Sequence, residues 1–366
     1  MSDYLFVDRS EEARALARDW AGVERLAVDT EFVRERTFSA RLCLLQLSDG
    51  ERIACIDMLA LGGPGPFADL LCNPALQKVF HSARQDLETL NEHLGQVPGP
   101  VWDTQVAAAL LGYPDQVGYT RLVADELGMP LPRDHARTDW SRRPLSDEQL
   151  NYAAADVKWL LPLADRLETE LERRGRLSWA AEESATLCDS ALYAFDAANA
   201  WRRVKGAGQL GGAALLRLAA LAHWREQEAR RSDRPRRWIL ADEALLALAG
   251  AEPGSAAGKA AFDALPLAVR RKHGATLADL LEEAGTAETP IEPLPERLEP
   301  EQDRLARKLM ARVRDLAAQH QVSAPLLATR KDIEALVRGR RDLPLLAGWR
   351  RELAGEELLA RVEQAG

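Results

Sequence analysis

Leu26-Ala27-Val28-Asp29-Thr30-Glu31-Phe32 decides how the rest of the chain is read. An apolar run leads into two carboxylates spaced two apart, and Leu42 to Leu47 downstream reads as a second strand. Side chains alternate faces along a strand, so Asp29 and Glu31 share one face while Val28, Thr30 and Phe32 take the other. Two acids side by side at the end of a buried strand repel each other unless a cation lies between them. The stretch predicts a divalent-metal site whose remaining ligands come from elsewhere in the chain.

Working outward, the first hundred residues alternate strand-like and helix-like segments. Tyr4 to Val7, Leu26 to Glu31, Leu42 to Leu47, Arg52 to Asp57 and Lys78 to His81 are β candidates. Ser10 to Trp20, opened by a Ser cap, and Ala83 to Leu94 are helical. This alternation predicts an α/β layer architecture, a mixed central sheet flanked by helices. After Trp102 only helices are expected. Asp103 caps Thr104 to Leu111, Thr120 to Leu127 follows, and a loop rich in Pro and Arg runs from Pro130 to Pro144. Ser146 and Gln149 form a capping box that opens a long helix, which Pro162 should kink.

No strand is expected from about Arg176 onward. Helical segments run over Glu183 to Arg203, Ala213 to Arg230, Ala241 to Ala249 and Leu277 to Ala284. Pro290, Pro293, Pro295 and Pro300, interleaved with Glu, mark a stiff linker, and a last helical block runs from Gln302 to Gln364. The expected division is an α/β domain over 1–176, a helical connector over 177–205, a small helical domain over 206–288, the linker over 289–302 and a second helical domain over 303–366.

A length of 366 residues suits two or three domains. No apolar run approaches the ~20 residues that span a bilayer, and the acidic N-terminus does not read as a signal peptide. Cys43, Cys55, Cys72 and Cys188 include no Cys-x-x-Cys pair, so a reduced, cytoplasmic, zinc-free protein is expected. The net charge of −9 argues against binding nucleic acid by bulk charge but leaves room for a local basic surface. Trp201 to Ala241 carries ten Arg or Lys against three acids, which concentrates positive charge in the second half.

Three further acids compete to complete the metal site. Asp86 lies in the first turn of a helix leaving a strand end, where the helix dipole alone explains an acid. Asp156 shares a helix face with Tyr152, four residues earlier. Asp103 is accounted for as an N-cap and is left out, and His81 reads as a core histidine with one satisfied nitrogen. Two-metal phosphoryl chemistry uses about four carboxylates holding ions roughly 3.5–4 Å apart. Magnesium suits such an all-oxygen site.

Taken together, Asp29-Thr30-Glu31-Phe32, His81-Ser82-Ala83-Arg84-Gln85-Asp86-Leu87 and Tyr152-Ala153-Ala154-Ala155-Asp156-Val157 resemble the three exonuclease motifs of bacterial ribonuclease D. Members are Asp-Glu-Asp-Asp exonucleases with a tyrosine in the third motif. Arg34-Glu35-Arg36-Thr37-Phe38, Leu42 to Leu47 and Asp139 to Leu145 strengthen the likeness, which is dense over residues 20–165. The resemblance implies an RNase H-like fold that removes nucleotides from RNA 3′ ends, tRNA precursors included, and releases nucleoside 5′-monophosphates. It implies that Asp29, Glu31, Asp86 and Asp156 hold two divalent ions, Mg²⁺ or Mn²⁺, that Tyr152 orients the attacking water, and that the protein is a monomer. Ser39-Ala40 depart from the aromatic and proline that the resemblance leads one to expect after Thr37-Phe38, in the loop that the resemblance places against the terminal nucleotide.

The stretches Trp201 to Lys205, Leu215 to Arg225 and Arg234 to Leu245 resemble the small helical domain shared by RecQ-type helicases and ribonuclease D, the HRDC domain. Asp303 to Val362 resembles a second copy, most clearly at Thr329 to Leu336. Such domains usually bind nucleic acid, and the basic run interleaved with Trp201, Trp224 and Trp238 fits phosphate neutralisation and base stacking. Trp224 and Trp238 are nevertheless expected in the core, with RNA contact left to some of the arginines. Gly206-Ala207-Gly208-Gln209-Leu210-Gly211 spells a dinucleotide fingerprint, but no strand precedes it, so it reads as a joint. Two other readings stand beside the exoribonuclease: a proofreading-type DNA exonuclease and a non-catalytic RNA-binding scaffold.

Overall fold

The computed structural model describes residues 3–131, 138–285, 293, 295 and 297–365. Part of the expected Pro130–Pro144 loop and most of the Pro- and Glu-rich linker, Pro290 included, lie outside the described residues. Six strands form one mixed sheet: β1 (Leu5–Val7), β2 (Arg25–Val33), β3 (Arg41–Ser48), β4 (Ile53–Asp57), β5 (Gln77–Phe80) and β6 (Val101–Asp103). Their order is β1-β4-β3-β2-β5-β6. β2, β3 and β4 pair antiparallel, whereas β1, β5 and β6 join parallel to their neighbours.

The central strands are apolar on both sides because helices cover both faces. Val28, Leu45, Leu47 and Ile56 pack with Leu87 and Leu90 of the Arg84–Leu94 helix. Ala27, Leu44 and Cys55 pack on the opposite face with Leu150, Ala153 and Val157 of the Asp147–Lys158 helix.

Four local expectations need correction. Ser10 is the first helical residue rather than the cap, which is Arg9 with no side-chain bond. The long helix does not kink at Pro162. It ends at Lys158 and a new helix, Leu160–Arg173, begins, with Pro162 in its first turn, where a missing N–H costs little. Glu183 to Arg203 is not one helix: Leu177–Thr186 is followed by separate 3-10 turns at Ser190–Tyr193 and Ala200–Arg203. β6 is an addition, too short to carry a periodicity.

The chain separates into two compact units, one of Met1–Val33, Arg41–Tyr193 and Leu298–Gly366, the other of Arg34–Ala40 and Ala194–Arg297. In the first unit, the C-terminal helices share one hydrophobic core with the sheet domain. Trp349 stacks on Trp179 with centroids 5.0 Å apart and rings 13° from parallel, and its indole N–H donates to Glu183 (2.8 Å). Arg176 donates to the carbonyls of Leu110, His320 and Gln321.

The second unit is built on the helices Gly212–Arg231, Asp242–Gly250, Ala256–Asp263 and Leu267–Gly285, around Trp201, Leu218, Leu221, Leu245 and Leu277. Several of its basic residues are structural. Arg225 is buried against the Leu240 carbonyl (3.0 Å) and Asp242 (2.6 Å), and Arg203 and Arg236 share Glu226. Trp201 is core and Trp224 half-buried, but Trp238 is 59% exposed, against expectation. It sits on the single turn Arg236–Ile239, where Ile239 takes the inward position. Phe38 is buried here beside Ala229 and Ile239, with Arg236 over its ring (4.5 Å) and the Phe38 and Ser39 amides donating to Asp233 (3.0 Å each). Among the described residues, no helix is long and apolar enough to cross a membrane.

Candidate active site

β2 supplies the first two carboxylates. Asp29 lies opposite Gln46 and Glu31 opposite Leu44 on β3, with a register shift between Glu31 and Phe32. Asp156 comes from the Asp147–Lys158 helix, which the Ser146/Gln149 capping box starts. One carboxylate oxygen each from Asp29, Glu31 and Asp156 lie within 4.8 Å of one another. Asp86 is not part of that group. It approaches from the face that Thr30 occupies, accepting a hydrogen bond from the Thr30 hydroxyl (2.5 Å) in the first turn of the Arg84–Leu94 helix.

The electrostatics nonetheless tie all four acids together. Burial pushes Glu31 up to about 10, reinforced by Asp29, Asp156 and Asp86. Burial pushes Asp29 up to about 7. Asp86 and Asp156 are each held well above the usual carboxylate range, first by burial and then by Asp29. Among the described residues, no lysine or arginine is one of the groups acting on them. Hard oxygen donors, crowded and uncompensated, suit a hard divalent cation.

Tyr152 is half-buried, bonds to Asp156 and tilts against Trp140, with ring centroids 6.3 Å apart. Burial, then Asp156, raises its phenol, so the hydroxyl keeps its proton at neutral pH. The segment carrying Trp140 is fastened by Arg143, which is bidentate on Asp57 (2.6 and 2.8 Å) and donates to the carbonyls of Trp140 (2.7 Å) and Cys43 (2.9 Å).

His81 meets Thr104 and the Val117 carbonyl, each at 2.9 Å, so both nitrogens are satisfied rather than one. Asp103 caps Thr104–Ala109 as expected, accepting from Gln105 and Val106. It also accepts from the amides of Ser82 (3.1 Å) and Ala83 (2.8 Å). Ser82 has φ +64°, a left-handed conformation costly for a side chain, and Asp103 holds this turn just ahead of Asp86. Tyr119 was also missed: its hydroxyl reaches the Ala155 carbonyl (3.4 Å), and burial and Asp156 push its phenol up. Nothing local in the sequence signals either role.

The 3′-5′ exonuclease family model matches residues 4–172, and the HRDC domain model matches residues 214–281. Ribonuclease D of Acidiphilium cryptum is 40% identical over 97% of this chain and 92% of its own. Ribonuclease D of Granulibacter bethesdensis is 37% identical over 97% and 91%. The crystal structure of Escherichia coli RNase D superposes with a TM-score of 0.90 at 32% identity, over 99% of both chains. The catalytic core of RRP6 from Trypanosoma brucei shares the fold at a TM-score of 0.59 and 24% identity, over 77% of this chain and 79% of that one. The chain belongs to the ribonuclease D family of 3′→5′ exoribonucleases.

Proposed function

We propose that this 3′→5′ exoribonuclease trims the 3′ ends of structured RNAs, tRNA precursors among them, with two divalent ions held by Asp29, Glu31, Asp86 and Asp156. The observation that carries the reading is the meeting of Asp29, Glu31 and Asp156 oxygens within 4.8 Å, with no cationic side chain among the described residues that act on them. Mg²⁺ or Mn²⁺ bound there supplies an activated water and neutralises charge developing on the scissile phosphate. Tyr152 keeps its proton, bonds Asp156 and orients the water for in-line attack, so that nucleoside 5′-monophosphates leave one at a time. The Escherichia coli enzyme is described as an exoribonuclease involved in structured RNA processing, which supports the substrate class.

The helical regions, read as HRDC-like domains over 206–288 and 303–366 that a linker over 289–302 joins to each other and a connector over 177–205 joins to the exonuclease domain over 1–176, hold the RNA body. Exposed Trp238 beside exposed Arg234 and Arg237 supports RNA contact in the first of them. The protein works as a cytoplasmic monomer. A 5′-labelled RNA with an unstructured 3′ tail tests the activity in parallel with EDTA and with Asp156→Ala. A ladder shortening from the 3′ end, lost in both controls, is the expected result. No shortening with Mg²⁺ or Mn²⁺ overturns it in favour of a scaffold, and preference for a matched DNA in competition overturns the RNA assignment.

A further inference from the structure

Gln46 is the anomaly in β3. It stands in a run of leucines, is 0% exposed, and neither its amide nitrogen nor its amide oxygen has a hydrogen-bond partner among the described residues. A buried carboxamide without partners destabilises a fold, whereas methionine or leucine of similar volume costs nothing of the kind. Core packing therefore does not account for it.

Its neighbours do. Gln46 lies directly opposite Asp29 on β2 and Cys55 on β4. Direct cross-strand partners in an antiparallel pair share a face with Cβ atoms about 4.5–5.5 Å apart. The same face is covered by the Asp147–Lys158 helix, since Cys55 Sγ reaches the Leu150 carbonyl (3.8 Å), and Asp156 acts on the Cys55 thiol. The unpartnered amide thus sits on the floor of the acidic cluster, beside Asp29 and under the helix bearing Asp156.

We propose that Gln46 is a positioning residue for the Asp29 carboxylate: its amide N–H fixes that carboxylate when it is ionised to hold a cation. The proposal rests on the metal reading above. Groups that orient metal-binding side chains typically change metal affinity by 10–100-fold when removed.

The test separates positioning from packing with two variants, Gln46→Met and Gln46→Asn. Methionine keeps the volume and removes the amide; asparagine keeps an amide and leaves a small void. Thermal melts in EDTA should rank methionine at or above wild type and asparagine below. Mn²⁺ affinity, from calorimetry on the RNA-free protein, should rank the other way: wild type, then asparagine, then methionine at about 10–100-fold weaker. kcat at fixed Mn²⁺ should follow the Mn²⁺ order, with KM for RNA within about twofold. Mn²⁺ affinity that follows the stability order, or methionine binding within twofold of wild type, overturns the role of Gln46 alone. A wild type with no Mn²⁺ isotherm, or with one that Asp29→Asn leaves intact, overturns the metal reading and Gln46 with it.

Discussion

Replacing Arg350 with Ala should detach the C-terminal helices from the core they share with the sheet domain. Glu183, on the Leu177–Thr186 helix, is only 7% exposed and accepts from both terminal nitrogens of Arg350, one at 2.6 Å, as well as from Trp349. Arg350 Nε also donates to the Leu326 carbonyl (2.8 Å), so the guanidinium ties three segments together. Removing it leaves a buried carboxylate with one neutral donor. Breaking one side of such a pair costs about 3–5 kcal/mol, far more than the roughly 0–1 kcal/mol of an exposed pair. For a folding unit of this size each kcal/mol shifts the midpoint by about 2–4 °C, so Tm should fall by roughly 10 °C.

Calorimetry reads that shift, and the double variant Glu183→Met/Arg350→Met reads its cause. If the penalty is the stranded charge, removing both charges recovers much of the loss, because the pair's own desolvation cost disappears too. An Arg350→Ala protein melting within about 1 °C of wild type would refute the reasoning, as would a double variant no more stable than the single one. Ser184, next to Glu183, accepts the Asp103 N–H (3.2 Å), so the loosened helix borders the turn ahead of Asp86.

Two further outcomes follow from the same contacts. In EDTA, Asp29→Asn should be more stable than wild type at pH 8 but not at pH 5. The folded value of about 7 lies above the ordinary 3.8, so the native state binds the proton more tightly and metal-free stability falls as pH rises through that window. About three pKa units set an upper limit of about 4 kcal/mol, and about 1–3 kcal/mol is expected once the acceptor lost in asparagine is counted. Equal melting of the two proteins at pH 8 would remove the argument that burial penalises the ionised Asp29. Within the second unit, Phe38→Ala should cost about 3–4 kcal/mol, since it empties the site beside Ala229 and Ile239. Faster amide exchange at both residues is the sign to look for, and unchanged protection would mean that Phe38 holds nothing.

What was legible in the sequence divides by range. Period-two alternation around Asp29 and Glu31, the Ser146/Gln149 box and the Asp103 cap are decided by residues within four positions, and the strands and caps stand where that chemistry puts them. Asp86 and Asp156 gained meaning only from the motif resemblance, because acids in amphipathic helices are ordinary taken singly. The rest required the tertiary structure. Asp103 reaches back 21 and 20 positions to the Ser82 and Ala83 amides, and Arg350 reaches Glu183 across 167. A tryptophan among solvating arginines is expected in the core, but on the single turn Arg236–Ile239 it is Ile239 that is buried, and Trp238 faces solvent.

Gln46 shows the other kind of legibility. A polar residue within Leu42-Cys43-Leu44-Leu45-Gln46-Leu47 breaks the local rule for a buried strand, and such breaks gather where function opposes stability. In the sequence it was one letter of a matching motif. The register of β3 against β2 turns it into a specific question, because the same one-residue precision that sends Leu45 and Leu47 to one core sends Gln46 to Asp29. A slip of one position would bury a leucine against the carboxylates and leave the amide in the apolar layer. The strand pairing that stabilises the sheet is therefore also what composes the site.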